Sequence, residues 1–271
     1  MTAAKGLVCN DNRAASVAQL NPDWVHVQFG ATAWDTTNVL AHDWVLALYD
    51  YIPTADEVAK AIQHPNYGGQ WMVGHNEPDL SEGWTPLEQY TLISAQIAAV
   101  LKVDPTARFA VEGGSQYHPI WSVTPQGNPN SYFWKVWKKM TPTEQAAVRA
   151  LHFHYYVQAE IFPPLDLNLI WSPDPIIAYF TKVKAGMAML NVDTKRLWVT
   201  EIGLAETAYT LANMDKVAQY PSVIQQAMDV VGAARWAYYI QKYRNDGYHA
   251  LQDANGLTGT GQTFAGLVTR K

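Results

Sequence analysis

Cysteine is almost missing from the 271 residues: Cys9 stands alone, inside the apolar run "GLVC". A single cysteine rules out an internal disulfide, and its setting suits a small buried hydrophobe better than a catalytic thiol. Charge is scarce as well, at 16% of residues, with a net charge of −5 and no basic cluster. That balance argues against a phosphate-backbone partner, so no nucleic acid is expected. No apolar run approaches the length of a bilayer span, and no membrane partner is expected. The opening "MTAAKGLVC" is too short and too soon polar for a secretory leader, so an extracellular location would require a leader already removed. The chain also lacks a fixed-period repeat, a low-complexity tract, a linker and the glycine-rich dinucleotide fingerprint. One domain over residues 1–271 is therefore expected.

What is abundant is apolar and aromatic: 48% hydrophobic residues, with 11 tryptophans and 15 tyrosines. Aromatic faces fill cores, and they also stack on the C–H faces of sugars. Eight short runs rich in Val, Leu, Trp, Phe and Tyr read as strands: "KGLVC", "WVHVQFG", "WVLALYDY", "QWMVGHN", "RFAVEGG", "ALHFHYY", "RLWVTE" and "ARWAYYIQ". Helical segments lie between them. "TADEVAKAIQH", "TPLEQYTLISAQIAAVLK" and "TPTEQAAVRA" each begin with a threonine three residues before a glutamate, the spacing of a capping box. "DPIIAYFTKVKAGMAML" and "PSVIQQAMDVVGAA" supply two more, whereas the helices of the first two units are poorly signalled. Strands alternating with helices in eight units predict an α/β chain folded as a single (β/α)8 TIM barrel.

In such a barrel, chemistry gathers at the C-terminal ends of the strands. Glu77 ends the fourth run. Glu201 ends the seventh, where the alternation Leu197, Val199, Glu201 predicts one shared face directed into the mouth. A salt bridge or a helix cap would explain either glutamate alone. Two at matching ends of separate runs fit the pair that cleaves a glycosidic bond, one protonating the leaving oxygen and one meeting the developing positive charge.

"NEPD" after the fourth strand and "WVTEIG" at the seventh resemble the clan A glycoside hydrolases, retaining (β/α)8 enzymes whose acid/base glutamate follows an asparagine. "GHNEPDL", the "HYY" of His154 to Tyr156, "WVTEIG" and the closing "ALQDANGLTGTGQTFAGL" are most similar to glycoside hydrolase family 128. The resemblance implies Glu77 as acid/base, Glu201 as nucleophile, and Asn76 bonded to the sugar hydroxyl beside the anomeric carbon. It places His154 and Tyr156 among the groups that orient the nucleophile or contact sugar. It also implies a retaining β-glycosidase without a cofactor, acting internally on a β-glucan, with β-1,3 linkage favoured and an oligo- or polysaccharide as partner. One departure stands out: the tryptophan that usually floors the sugar at strand eight meets "RWAYYIQ" here, so either Tyr238 replaces it or Trp236 is displaced in register.

Two other constellations compete. His152 and His154 have the spacing of metal ligands on one strand face, with His26, His42, His75, His118 or His249 available to complete a site. That is the pattern of a metal-dependent barrel hydrolase, though the first strand, "GLVCNDN", lacks the histidine pair such enzymes carry there. A non-catalytic carbohydrate-binding barrel is a third reading, disfavoured by the presence of both carboxylates. Trp34, Trp84, Trp121 and Tyr117 fall in loops after strands two, four and five and are candidate sugar platforms, or covers of the barrel end. Glu112 and Gln116 lie near the same rim, where Glu112 reads as a supporting or structural carboxylate.

Overall fold

The computed structural model describes residues 2–8, 14–28, 43–78, 84–114, 132–157, 171–204, 214–239, 250–253 and 256–267. Eight parallel strands form a closed barrel in chain order. They are β1 (Ala4–Val8), β2 (Trp24–Gln28), β3 (Asp43–Ala47), β4 (Tyr67–Val73), β5 (Arg108–Gly114), β6 (Val148–Val157), β7 (Leu197–Leu204) and β8 (Arg235–Tyr238). Each expected run contains a strand. The barrel closes where β1 pairs with β8, with Gly6 opposite Ala237. Around it lie α1 (Ala14–Leu20), α2 (Ala55–Gln63), α3 (Pro86–Leu101), α4 (Tyr132–Trp137), α5 (Pro142–Ala147), α6 (Asp174–Met189), α7 (Met214–Val231) and α8 (Gly259–Gly266). No helix of the described residues is long and apolar enough to cross a membrane.

The two faces of each strand separate two cores. Inward residues are large on some strands and small on their neighbours: Trp24, Met72 and Trp198 fill the barrel floor against Ala4, Ala47, Ala110, Ala150 and Ala237. The Trp24 and Trp198 rings approach to 6.0 Å, and the Arg235 guanidinium lies 4.7 Å from the Trp198 ring. Gly6 makes room for this, since a Cβ there would collide with the Trp24 indole. Outward residues such as Trp71, Val111, Leu151 and Val199 meet Ile93, Ile97, Phe180 and Ile224 of the helices. Burying each such side chain contributes roughly 1.5–3 kcal/mol, which is what holds the helical layer on.

The three capping boxes form as read, at Thr54/Glu57, Thr85/Glu88 and Thr141/Glu144. Two helix boundaries differ from expectation. The helix begun at Thr141 stops at Ala147, and Val148 to Ala150 pair with Phe109 and Ala110 as strand. One helical turn gains little alone, so the ladder takes those residues. At the other helix, Pro221 does not start α7 but lies inside it, buried with Tyr220 and Ile224. Packing offsets the missing backbone hydrogen bond there.

Lys5 is fully buried, yet it points outward from β1 to the end of α8. Its Nζ donates to the carbonyls of Phe264 at 2.8 Å, Leu267 at 3.1 Å and Ala265 at 3.3 Å. A cation at the C-terminus of a helix also meets the favourable end of its dipole. Burial lowers the Lys5 pKa to about 8, against the charge of Asp23, which raises it.

Candidate active site

The segment after β4 is fastened by side chains rather than by sheet. Gly74 turns the chain at φ +106°, where a side chain is rarely accommodated, and a Cβ would come to 2.5 Å from Gln89 Nε2. Two buried glutamines of α3 accept from this turn: Gln96 Oε1 from Gly74 N–H at 2.7 Å and Gln89 Oε1 from His75 N–H at 2.9 Å. Gln96 also donates to the carbonyls of Tyr49 and Tyr51, so one side chain ties the ends of β3 and β4 together. Glu77 follows at φ +45°, a left-handed conformation that costs a residue with a Cβ roughly 1–2 kcal/mol. Its N–H donates to Glu112 Oε2 at 2.9 Å.

Glu201 reaches the mouth by a different route from the expected alternation. Leu197 and Val199 face the helices, whereas Trp198 faces the barrel floor. Between Val199 and Glu201 β7 carries one residue more than either neighbour: Phe153 pairs Val199 and His154 pairs Glu201, while Trp236 pairs Val199 and Tyr238 pairs Ile202. This bulge switches the parity, so Thr200 and Glu201 both turn inward. Thr200 Oγ1 meets His152 Nδ1 at 2.9 Å, and Glu201 Oε2 accepts from the Tyr156 hydroxyl at 2.5 Å.

His154 joins the two glutamates. It is fully buried, with Nδ1 2.9 Å from Glu77 Oε1, 3.6 Å from Glu201 Oε2 and 4.0 Å from Glu112 Oε1. Burial alone would lower its pKa, but the carboxylates of Glu201, Glu112 and Glu77 outweigh this and raise it to about 10. The ring is therefore an imidazolium that donates to Glu77. Glu77, His154 and Glu201 each place one polar atom within 4.8 Å of the others'. Burial raises the Glu201 pKa, the His154 charge and the Tyr156 hydrogen bond oppose the rise, and the Glu77 charge adds to it. On the far side, burial and the His154 charge lower the His26 pKa to about 3, leaving a neutral ring 3.0 Å from the Tyr49 hydroxyl. His152 is held neutral in the same way.

Of the residues singled out from sequence, Glu77, Glu201, His154 and Tyr156 converge, with Glu112 directly behind them. Asn76 is exposed in the turn before Glu77. Trp84 is half-buried and stacks on His75 at 3.7 Å, while His75 pairs with Asp50. Tyr238 does not reach the mouth: it is fully buried against Phe264 of α8, and Trp236 lies on the same outer face with its indole bonded to Gln225. Ala237 is the inward residue between them, so the strand-eight aromatic beside the site is Tyr239, whose ring meets Tyr156 edge-on at 5.7 Å. Cys9, Trp34, Tyr117, Trp121, Gln116, His42, His118 and His249 lie outside the described residues. Sequence reading missed Gln89, Gln96, Tyr49 and Tyr239. The two glutamines had a detectable signal, since they share the core stripe of α3 with Ile93, Ile97 and Val100.

No protein-family model matches the chain, and no curated protein matches it. Solved structures do. A glycoside hydrolase family 128 (subgroup II) endo-β-1,3-glucanase from Sorangium cellulosum is 16% identical, with a TM-score of 0.64 over 99% of this chain and 100% of that one. A subgroup I endo-β-1,3-glucanase from Amycolatopsis mediterranei, a mutant in complex with laminaripentaose, is 13% identical, with a TM-score of 0.61 over 97% and 98%. The cellulose synthase subunit Z from Clostridioides difficile is 13% identical, with a TM-score of 0.58 over 98% and 99%. The chain shares with the family 128 endo-β-1,3-glucanases a barrel fold that extends over nearly its whole length.

Proposed function

We propose that residues 1–271 form one catalytic barrel that hydrolyses β-glucosidic bonds with retention, acting internally on β-1,3-glucan. The observation that carries this reading is a carboxylate oxygen of Glu77 within 4.8 Å of one from Glu201 at the barrel mouth. Retaining glycosidases hold their carboxyl groups about 5–5.5 Å apart, whereas inverting ones need room for a water. Glu201 attacks the anomeric carbon, the glycosidic C–O bond breaks, and the departing oxygen takes a proton from Glu77. Water then displaces Glu201 and returns its proton to Glu77. Tyr156 and His154 hold the attacking carboxylate in place. Asn76 is assigned to the sugar hydroxyl beside the anomeric carbon, and Trp84 to a sugar ring. The β-1,3 linkage and internal cleavage rest on likeness to the family 128 endo-β-1,3-glucanases.

A metal-dependent reading has donor groups in its favour, since Glu112, His152 and His154 also stand within ligand spacing. The proton that the neighbouring carboxylates favour on His154 would have to leave before a metal could bind there. The deciding experiment is early-time product analysis on laminarin-type β-1,3-glucan, with and without chelator. A ladder of oligosaccharides that survives chelation supports the reading. Monosaccharide alone, or activity confined to mannan or galactan, overturns the substrate assignment; loss on chelation overturns the mechanism, and binding without turnover overturns both. Glu77→Ala should slow poor leaving groups far more than activated aryl glycosides, and equal losses would contradict its role as acid.

A further inference from the structure

We infer that Glu112 is a positioning residue for this chemistry: from β5 it fixes the main chain of Glu77 with one carboxylate oxygen and faces the His154 ring with the other. The inference rests on Glu77 acting as acid/base. Glu112 is buried, and its two oxygens face different tasks. Oε2 accepts from the Glu77 N–H at 2.9 Å, at the residue whose left-handed φ of +45° a side chain resists. Oε1 lies 4.0 Å from His154 Nδ1. A buried carboxylate is costly unless its charge is met, and the neighbouring imidazolium meets it.

The geometry separates these tasks because Glu77 has lost sheet support. β4 ends at Val73, and the N–H groups of Gly74, His75 and Glu77 are each taken by a buried side chain, from Gln96, Gln89 and Glu112. The two glutamines fix where the turn begins. Glu112 fixes the residue that carries the carboxyl group. His154 is faced by Glu77 from the loop after β4 and by Glu201 from β7, and the neighbouring His26 and His152 rings and Tyr49 hydroxyl are uncharged. Of the three carboxylates acting on it, Glu201 is esterified and Glu77 passes its proton in the proposed cycle, whereas Glu112 is assigned neither task. It is thus the constant partner of the imidazolium through the cycle.

Two variants divide the tasks. Glu112→Gln keeps an oxygen for the Glu77 N–H and removes only the charge, whereas Glu112→Ala removes both. In Glu112→Gln the imidazole resonances of His154, followed by nitrogen-15 NMR, should titrate at lower pH than in the unsubstituted protein. In Glu112→Ala kcat should fall a further 10–100-fold, on the order expected for a misplaced reacting group, with KM nearly unchanged. An unshifted His154 titration in Glu112→Gln would overturn the inference, even if Glu112→Ala failed to fold. Failure of the underlying assignment reads differently. Equal losses of Glu77→Ala on activated and unactivated substrates would remove the acid role, while the His154 titration in Glu112→Gln would still report the charge coupling.

Discussion

His154 is the charge that lets two carboxylates stand close together, and it makes the site sensitive to alkali. Its pKa is raised in the folded chain from 6.5 to about 10, so the stability it contributes is complete below about pH 6.5 and is lost as pH climbs toward 10. Melting temperatures from pH 6 to 10 should therefore fall more steeply for the unsubstituted protein than for His154→Gln. Parallel curves would contradict the coupling. Burial acts on Glu201 in the opposite catalytic sense, because a carboxyl group with a raised pKa is neutral over more of the acid range and cannot attack. The acid limb of kcat/KM should lie above the range of an ordinary glutamate. Glu201→Ala should abolish turnover, and azide should restore part of it with inverted product, whereas full activity without azide would remove Glu201 from the mechanism. Glu77 and Glu201 were singled out as carboxylates ending apolar runs, and His154 and Tyr156 through the family resemblance; the structure brings the four together. Tyr239 was not legible, since "WAYY" offers alternating aromatics and only the barrel shows that Ala237 is the inward one.

Strands and capping boxes were legible as elements because their signals are local: short continuous apolar runs, and Thr three residues before Glu. The bulge in β7 was not. No residue type announces it, and it shows only when both neighbouring ladders slip at the same place. Glu201 was assigned to the mouth from an alternation that in fact leads to the helices, and the extra residue at Thr200 corrects the direction. The role of α3 was equally hidden, because a glutamine in a core stripe reads as a flaw until its partner is seen. Gln96→Leu keeps the volume of the side chain but strips the Gly74 N–H of its acceptor and two carbonyls of their donor. Each buried group left unsatisfied costs about 1–3 kcal/mol, so urea unfolding should show a loss in that range or more. Hydrogen exchange at Gly74 should accelerate in the same variant. Unchanged exchange would mean that the turn is held by something else.

Over the whole molecule, barrel closure and the seating of α8 are one event, because β1 pairs with β8 on one side and gives Lys5 to α8 on the other. Lys5 titrates with the opposite sign to His154: its pKa is lowered to about 8, so its burial penalises the fold below that pH and ceases to do so as the free-lysine value of 10.5 is passed. A chain ending before α8 should lose its cooperative melt, since the ammonium would be left among apolar neighbours without its three carbonyls. Lys5→Met in that shortened chain should recover part of the loss by removing the stranded charge, and no recovery would mean that α8 acts through packing alone. Lys5 and Phe264 are 259 positions apart. At a synthesis rate of about 5–20 residues per second, the first strand leaves the ribosome tens of seconds before the helix that will cover it. A lysine in that strand keeps it attached to water for the interval, so the nascent chain carries its own delay against premature burial.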